Sequence, residues 1–146
     1  MLRGSYAARV DEKGRLKIPA VFLSDLRENY ESKFFVTSTS GQFARVYPLE
    51  EWKRIEERLA QVGSTSRAKK KFLNLVNYYG QVVSLDKQGR LLMPAILRDS
   101  AAMRGEVTVL GSLTYLDVWN RQRFVEDLRK NPLSADDEKI LDDLGV

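Results

Sequence analysis

The chain has 146 residues, of which 43% are hydrophobic and 30% charged, and its formal net charge at pH 7 is +4. These values are typical of a soluble globular protein with one domain or two small ones, and no apolar stretch is long enough for a transmembrane helix or a signal peptide. Cysteine and histidine are both absent, which excludes disulfides and thiol chemistry and removes the commonest general base and the usual zinc ligands.

The first predicted elements are a β-hairpin and the helix that follows it. Residues 15–18 alternate polar and apolar side chains, as a half-buried strand does, and residues 5–10 supply the partner strand. Gly14 tolerates the positive φ that closes the turn between them. Pro19 ends the second strand and suits the first turn of a helix over 20–28.

The remaining elements follow in the same order in both halves. The first half continues with predicted strands at 34–37 and 44–47 and an amphipathic helix from Pro48 to Val62. A helix predicted over 67–76 connects the two halves. In the second half, strands are predicted at 82–85, 91–93, 107–110 and 116–119, and helices at 95–100 and from Asn120 onwards. Ser134, with Asp137 three residues on, predicts the N-cap of a short acidic helix.

A ten-residue segment occurs twice. Asp11–Ala20 recurs 75 residues later as Asp86–Ala95, with Asp, Gly, Arg, Leu, Pro and Ala at matching positions. Such a repeat indicates one structural unit that is present twice. We therefore expect a first module over 1–63, a connecting helix over 64–78, a second module over 79–133 and an acidic C-terminal helix over 134–146.

The charge is unevenly distributed along the chain. Residues 134–146 have a net charge of −4, whereas residues 1–133 have +8, of which residues 1–75 hold +6. A basic body of this kind suggests a polyanionic partner that is met mainly by the first half.

The repeated hairpins carry cations on the face that points away from the core. Leu16 and Ile18 alternate with Arg15 and Lys17, so the basic pair lies on the outer face. A two-stranded ribbon fits the DNA major groove, where arginine can bind guanine through two hydrogen bonds and lysine meets phosphates. The candidate DNA-binding residues are Arg9, Lys13, Arg15 and Lys17 in the first hairpin and Lys87 and Arg90 in the second.

The two hairpins differ in charge. Lys13 is replaced by Gln88 in the second copy, and Lys17 by Leu92. We therefore expect the first hairpin to contribute more of the binding energy and the second to be partly buried or used in assembly.

Part of the motif has a structural explanation. Asp11, Gly14 and Pro19 suit a tight turn and a helix start, as do their counterparts in the second copy. An aspartate–arginine pair across an exposed hairpin contributes only about 0–1 kcal/mol. The lysine run at 69–71 is typical of the solvent-exposed face of a helix; the alternative is that it contacts phosphate.

Two functions of different classes fit these residues. One is a sequence-specific DNA-binding regulator of transcription, without enzymatic activity, cofactor, metal or small-molecule substrate. The alternative is an oligomeric protein-interaction scaffold, whose hairpin arginines bind acidic protein segments such as residues 136–143 of a neighbouring copy. An enzyme ranks below both because no set of residues forms a recognisable reacting site.

The chain resembles the MraZ family, bacterial proteins with two tandem AbrB-type modules of the swapped-hairpin kind. The resemblance rests on both Asp-x-x-Gly-Arg-x-x-x-Pro motifs and on the stretch Tyr47–Trp52, and it extends from Arg3 to about Leu128. It implies an α+β fold with a mainly β core. In that fold, two ββαββα modules interleave their hairpins into one pseudo-twofold barrel with flanking helices.

The resemblance also implies a function. Members of the family are cytoplasmic, nucleoid-associated transcriptional regulators, usually repressors, which bind short direct repeats upstream of their own gene in the division and cell-wall cluster and assemble into rings. The expected partners are thus double-stranded DNA and further copies of the chain, with no membrane. The family signature Asp-x-x-x-Arg falls on Asp11–Arg15 and Asp86–Arg90, which implies DNA contact by Arg15 and Arg90. Val21 and Leu23 stand where the family often has basic residues, which weakens the case for DNA contact by the first helix.

Overall fold

The computed structural model describes residues 1–146 and contains eight strands and six helices. The first half consists of β1 (Ser5–Val10), β2 (Arg15–Lys17), α1 (Ala20–Asn29), β3 (Lys33–Thr37), β4 (Ala44–Pro48) and α2 (Leu49–Ala60). After α3 (Arg67–Tyr79), the series recurs as β5 (Gln81–Ser84), β6 (Arg90–Leu92), α4 (Ala95–Ser100), β7 (Gly105–Ser112), β8 (Tyr115–Asn120) and α5 (Arg121–Lys130), followed by α6 (Ala135–Asp143). Every predicted helix and strand is present, within three residues of its predicted ends.

The eight strands form one antiparallel sheet that closes almost completely on itself. Their order is β5-β3-β4-β8-β7-β1-β2-β6. The two outermost strands, β5 and β6, are consecutive in the chain and meet at a turn in which the amide of Asp86 donates to the carbonyl of Arg90 at 3.0 Å. The prediction of an α+β fold with a β-barrel core is confirmed.

The strand partners show that the two halves exchange their hairpins. Strand β1 pairs along its whole length with β7 of the second half, and β5 pairs in the equivalent way with β3 of the first half. The pairs β2–β6 and β4–β8 each join corresponding strands of the two halves, so the pseudo-twofold axis passes through both. The swapped-hairpin arrangement that the resemblance implied is thus confirmed.

The interior of the barrel is a single apolar core. Nineteen buried hydrophobic residues from both halves form it, among them Leu16 and Leu91 at the centre of the β2–β6 pair. Fully burying a side chain of this size contributes about 1.5–3 kcal/mol, so the halves stabilise each other. Each hairpin is thereby held rigidly by residues of the opposite half.

Helices α2, α3 and α5 cover the side of the barrel opposite β2 and β6, around β4 and β8. Helices α2 and α3 pack over Phe35, and Trp52 of α2 places its ring centroid 4.6 Å from that of Phe35. Helix α5 brings Phe124 to within 5.6 Å of Trp119. Helix α6 buries no residue, although Ser134 and Asp137 form the predicted capping box. None of the six helices has the length and apolar character needed to cross a bilayer.

Candidate nucleic-acid interface

The turn of the first hairpin is organised by one carboxylate. Asp11 accepts hydrogen bonds from the main-chain amides of Lys13 at 3.0 Å and Arg15 at 2.9 Å, and its second oxygen accepts from Nε of Arg15 at 3.0 Å. The hydrogen bond donated by the main-chain amide of Arg15 is the main cause that holds the pKa of Asp11 below its ordinary value, since it favours the charged carboxylate. Gly14 closes the turn with φ +83°. Asp11 therefore both shapes the turn and orients the Arg15 side chain.

The second hairpin repeats the turn with a different arginine contact. Asp86 accepts from the amides of Gln88 and Arg90, both at 2.9 Å, and its pKa is lowered mainly by the bond from Arg90. Gly89 closes this turn with φ +76°. The side chain of Arg90, however, donates from Nη1 to the amide oxygen of Gln88 at 3.0 Å. The two arginines thus start from the same backbone geometry and are directed by different partners.

The register of β2 and β6 brings the cations of both hairpins onto one surface, which we name the outer face. Arg15 lies opposite Leu92 and Lys17 opposite Arg90, while Leu16 and Leu91 point inward between them. The β1–β2 register pairs Val10 with Leu16, so the next position along places Arg9 beside Lys17. Arg9, Lys17 and Arg90 therefore form a row of three cations across three strands.

The functional groups on the outer face are accessible. The side chain of Arg15 is 35% exposed, and neither of its Nη nitrogens donates a hydrogen bond within the chain. The ammonium of Lys17 donates to the main-chain oxygen of Gln88, which ties the first hairpin to the second turn. Lys13 and Lys87 are exposed in the two turns. Because β2 and β6 are antiparallel and each follows its turn, these two lysines mark opposite ends of the outer face.

The two hairpins are buried to the same degree within the chain. From Asp11 to Ile18 and from Asp86 to Met93, each position has the same burial class as its counterpart. Leu92, in the position of Lys17, is 48% exposed. The expected burial of the second hairpin is therefore not found within one chain, and its lower positive charge remains the main difference.

Comparison with known proteins agrees with the repeat. A family model described as "MraZ protein, putative antitoxin-like" matches residues 1–75 and again residues 80–144. The chain belongs to the MraZ family. It is 50% identical to a protein of Acidobacterium capsulatum over 146 residues and 46% identical to one of Koribacter versatilis over 147, with all of both chains covered in each case. A protein of Heliobacterium modesticaldum is 35% identical over 144 residues, covering 97% of this chain and 98% of the relative.

All three relatives are named "Transcriptional regulator MraZ". The name is that of a regulator and not of an enzyme, in agreement with the prediction that this chain is not an enzyme. No group of three or more carboxylates, histidines or cysteines is placed to hold a metal ion.

In this member of the MraZ family, the structure also reveals an arginine that the sequence did not indicate. Helix α4 lies against the first turn, and the guanidinium of Arg98 covers Gly14 so closely that a Cβ on that glycine would overlap it. Nε of Arg98 donates to the main-chain oxygen of Met93 at 3.0 Å. At the corresponding place in the other half, Leu23 of α1 lies against Gly89. The 75-residue offset relates Arg98 to Leu23, but only the hairpin exchange shows which turn each one meets.

The lysine run at 69–71 has a separate location. It lies on α3, which packs against β3 through Val76 and Thr37. Lys69 donates to the main-chain oxygen of Val62 at 2.8 Å, and Lys70 and Lys71 are exposed. These contacts favour the structural interpretation of the run.

Proposed function

We propose that the protein is a sequence-specific transcriptional regulator that binds double-stranded DNA through the outer face and acts as a repressor. The observation that carries this proposal is the meeting of both arginine hairpins on one accessible surface over a rigid core. Two-stranded ribbons fit the major groove, where an arginine can donate to O6 and N7 of guanine. Family membership supports the same function.

The side chains divide into two roles in this proposal. Arg15 and Arg90 read bases, because each is fixed by its turn and still has guanidinium nitrogens to donate. Arg9, Lys13, Lys17 and Lys87 contact phosphates and supply affinity that does not depend on sequence. Lys17 does so while it holds the second turn through Gln88.

We also propose that several copies act together on short direct repeats. One outer face offers few cations, so useful affinity requires linked subunits that raise the effective local concentration. Lys13 and Lys17 give the first hairpin more charge than the second, so each copy favours one orientation, as direct repeats require. Exposed apolar side chains on and after α5 offer surfaces for a ring-like homo-oligomer, namely Val125, Leu128, Leu133, Ile140 and Leu144.

The target in this proposal is the promoter of the protein's own gene in the division and cell-wall cluster, and the location is the cytoplasm in association with the nucleoid. A mobility-shift assay on the DNA directly upstream of the gene, with scrambled competitor, tests it. The wild-type chain should shift the upstream DNA selectively. Arg15→Ala should lose that selectivity while its circular dichroism spectrum stays unchanged, and Arg58→Ala, at an exposed arginine of α2, should bind like the wild type.

Equal binding of upstream and scrambled DNA by the wild type would refute sequence-specific recognition. Wild-type affinity in Arg15→Ala would refute the role of that arginine.

A second candidate function is the protein-interaction scaffold, favoured by the exposure of α6. That helix carries five carboxylates between Asp136 and Asp143 and buries none of its residues. Removal of residues 134–146 separates the candidates. Stronger DNA binding with unchanged assembly indicates a tail that screens the outer face, whereas loss of assembly in light scattering indicates an interface.

A further inference from the structure

A groove of about 650 Å³ lies beside the first hairpin, between it and the segment that joins α4 to β7. Three arginines line it, Arg9 from β1, Arg98 from α4 and Arg104 from the following turn, together with the carboxylates of Asp11 and Glu12. The groove therefore adjoins the turn that presents Arg15, although two of its arginines come from the other half of the chain.

Positive charge in this groove is incompletely neutralised. Asp11 is already engaged by Arg15 through both of its oxygens. Arg104 pairs with Asp99 at 2.8 Å, but both side chains are about three-quarters exposed, where such a pair contributes little. The side chain of Arg9 makes no hydrogen bond or ion pair within the chain, and Glu106, which lies opposite it across β1 and β7, pairs with Arg121 at 3.5 Å. The lining has three arginines and two carboxylates, Asp11 and Glu12, so an anion entering the groove meets one more cation than carboxylates.

Arg98 is the best-placed of the three to bind an anion. Its Nε is fixed by the carbonyl of Met93, and its guanidinium is held over the backbone of Gly14. Neither Nη nitrogen donates a hydrogen bond within the chain. A guanidinium that is already oriented loses less side-chain entropy on binding than a free surface lysine does.

The other half has no equivalent site. The groove beside the second hairpin measures about 250 Å³ and is lined by Arg27 and Lys87, with Asp86 and Glu31 as carboxylates. Leu23 occupies the position of Arg98 against the second turn. The pseudo-twofold barrel therefore carries this arrangement of arginines at one end only.

We infer that the groove beside the first hairpin binds a phosphate of the DNA backbone, with Arg98 as the principal donor and Arg9 and Arg104 as supporting charges. This inference rests on the proposed function and adds a backbone anchor next to Arg15. Because the anchor exists at one end only, it fixes the direction in which each copy lies along the duplex. Copies of the protein that all lie in the same direction along the duplex match the direct repeats of the proposed target.

The test is fluorescence anisotropy on the upstream duplex and on a scrambled duplex, over a range of salt concentrations. Arg98→Gln should weaken binding to both duplexes by the same factor, about three- to tenfold. The slope of log K against log salt should become shallower by about 0.9, the value for one phosphate contact. Arg98→Lys should recover most of the affinity, and Arg58→Gln, which removes an exposed charge from α2, should leave affinity and slope unchanged.

Arg98→Gln also removes the hydrogen bond from Nε to the main-chain oxygen of Met93, which changes the structure beside the groove. A gain-of-function variant in the other half therefore provides a second readout. Leu23→Arg places a guanidinium against the second turn, and it should raise affinity for both duplexes and steepen the salt slope. Unchanged affinity and slope in Arg98→Gln, or no gain in a folded Leu23→Arg, would overturn the inference. In that case Arg15→Ala still decides the proposed function by itself, because it tests discrimination between the two duplexes.

Discussion

Leu16 and Leu91 face each other across β2 and β6, each completely buried, at the point where the two repeats of the chain meet. The residues on either side of each leucine point outward and include Arg15 and Arg90. The packing of this apolar pair therefore determines where both arginines are presented. Stability and DNA recognition depend on the same two short strands.

Truncation of either leucine should destabilise the protein substantially. Leu16→Ala and Leu91→Ala should each lower the free energy of unfolding by about 2–5 kcal/mol, since each leaves a cavity in a fully packed core. The two losses should be similar because the sites are related by the pseudo-twofold axis. Urea denaturation measures them, with Val62→Ala, at a side chain that is 42% exposed, as the control. A loss below 1 kcal/mol for either core variant contradicts this account.

Local pattern predicted most of the elements, since alternation placed Leu16 inward and Arg15 outward, and proline and glycine marked where strands end. The same pattern did not indicate long-range partners. Arg45 lies opposite Asp117 only because β4 pairs with β8, and Arg98 lies against Gly14 only because the two halves exchange their hairpins. Strand pairing is decided by packing of the whole barrel and not by neighbouring residues. The site was therefore predictable at the hairpins and not at the grooves beside them.

Loss of the second arginine should affect DNA binding less than loss of the first. Arg90→Ala removes a side chain that is partly engaged by Gln88, in the less basic hairpin. Arg15→Ala removes one with two unengaged Nη nitrogens. We expect Arg90→Ala to retain measurable preference for the upstream DNA in competition assays, whereas Arg15→Ala retains none. The reverse order would mean that the second hairpin is the principal reader.

The hairpin turns should loosen only in acid. Hydrogen bonds from main-chain amides lower the pKa of Asp11 and Asp86 below 3.8, so both carboxylates stabilise their turns above that pH. This contribution is lost as the pH falls through the lowered values, and it is constant between about pH 5 and pH 8. Carboxyl carbon NMR titration should give midpoints below those of the same residues in unstructured peptides. Midpoints at or above the peptide values would show that the hydrogen bonds from the main-chain amides to these carboxylates are not formed.

The ion pair on the far side of the barrel should be coupled energetically. Nε of Arg45 donates to Asp117 at 2.9 Å, the side chains are 28% and 17% exposed, and the guanidinium lies 4.5 Å from the ring centroid of Tyr115. Asp117→Ala should lower the free energy of unfolding by about 1.5–3 kcal/mol, because it leaves a half-buried charge without its acceptor. A double-mutant cycle with Arg45→Ala should give a coupling energy of about 0.5–3 kcal/mol. A coupling energy near zero would mean that stacking on Tyr115, and not the ion pair, holds Arg45.

Restoring the missing cation of the second hairpin should strengthen DNA binding. Leu92 occupies the repeat position of Lys17, lies opposite Arg15 and is about half exposed, so a lysine fits there without entering the core. Leu92→Lys should raise affinity for upstream and scrambled DNA alike and steepen the salt dependence, because one more phosphate is neutralised. Thr65→Lys, in the exposed turn between α2 and α3, adds the same charge outside the barrel and should have a smaller effect. If Leu92→Lys binds DNA no better than Thr65→Lys does, the duplex does not cover this part of the outer face.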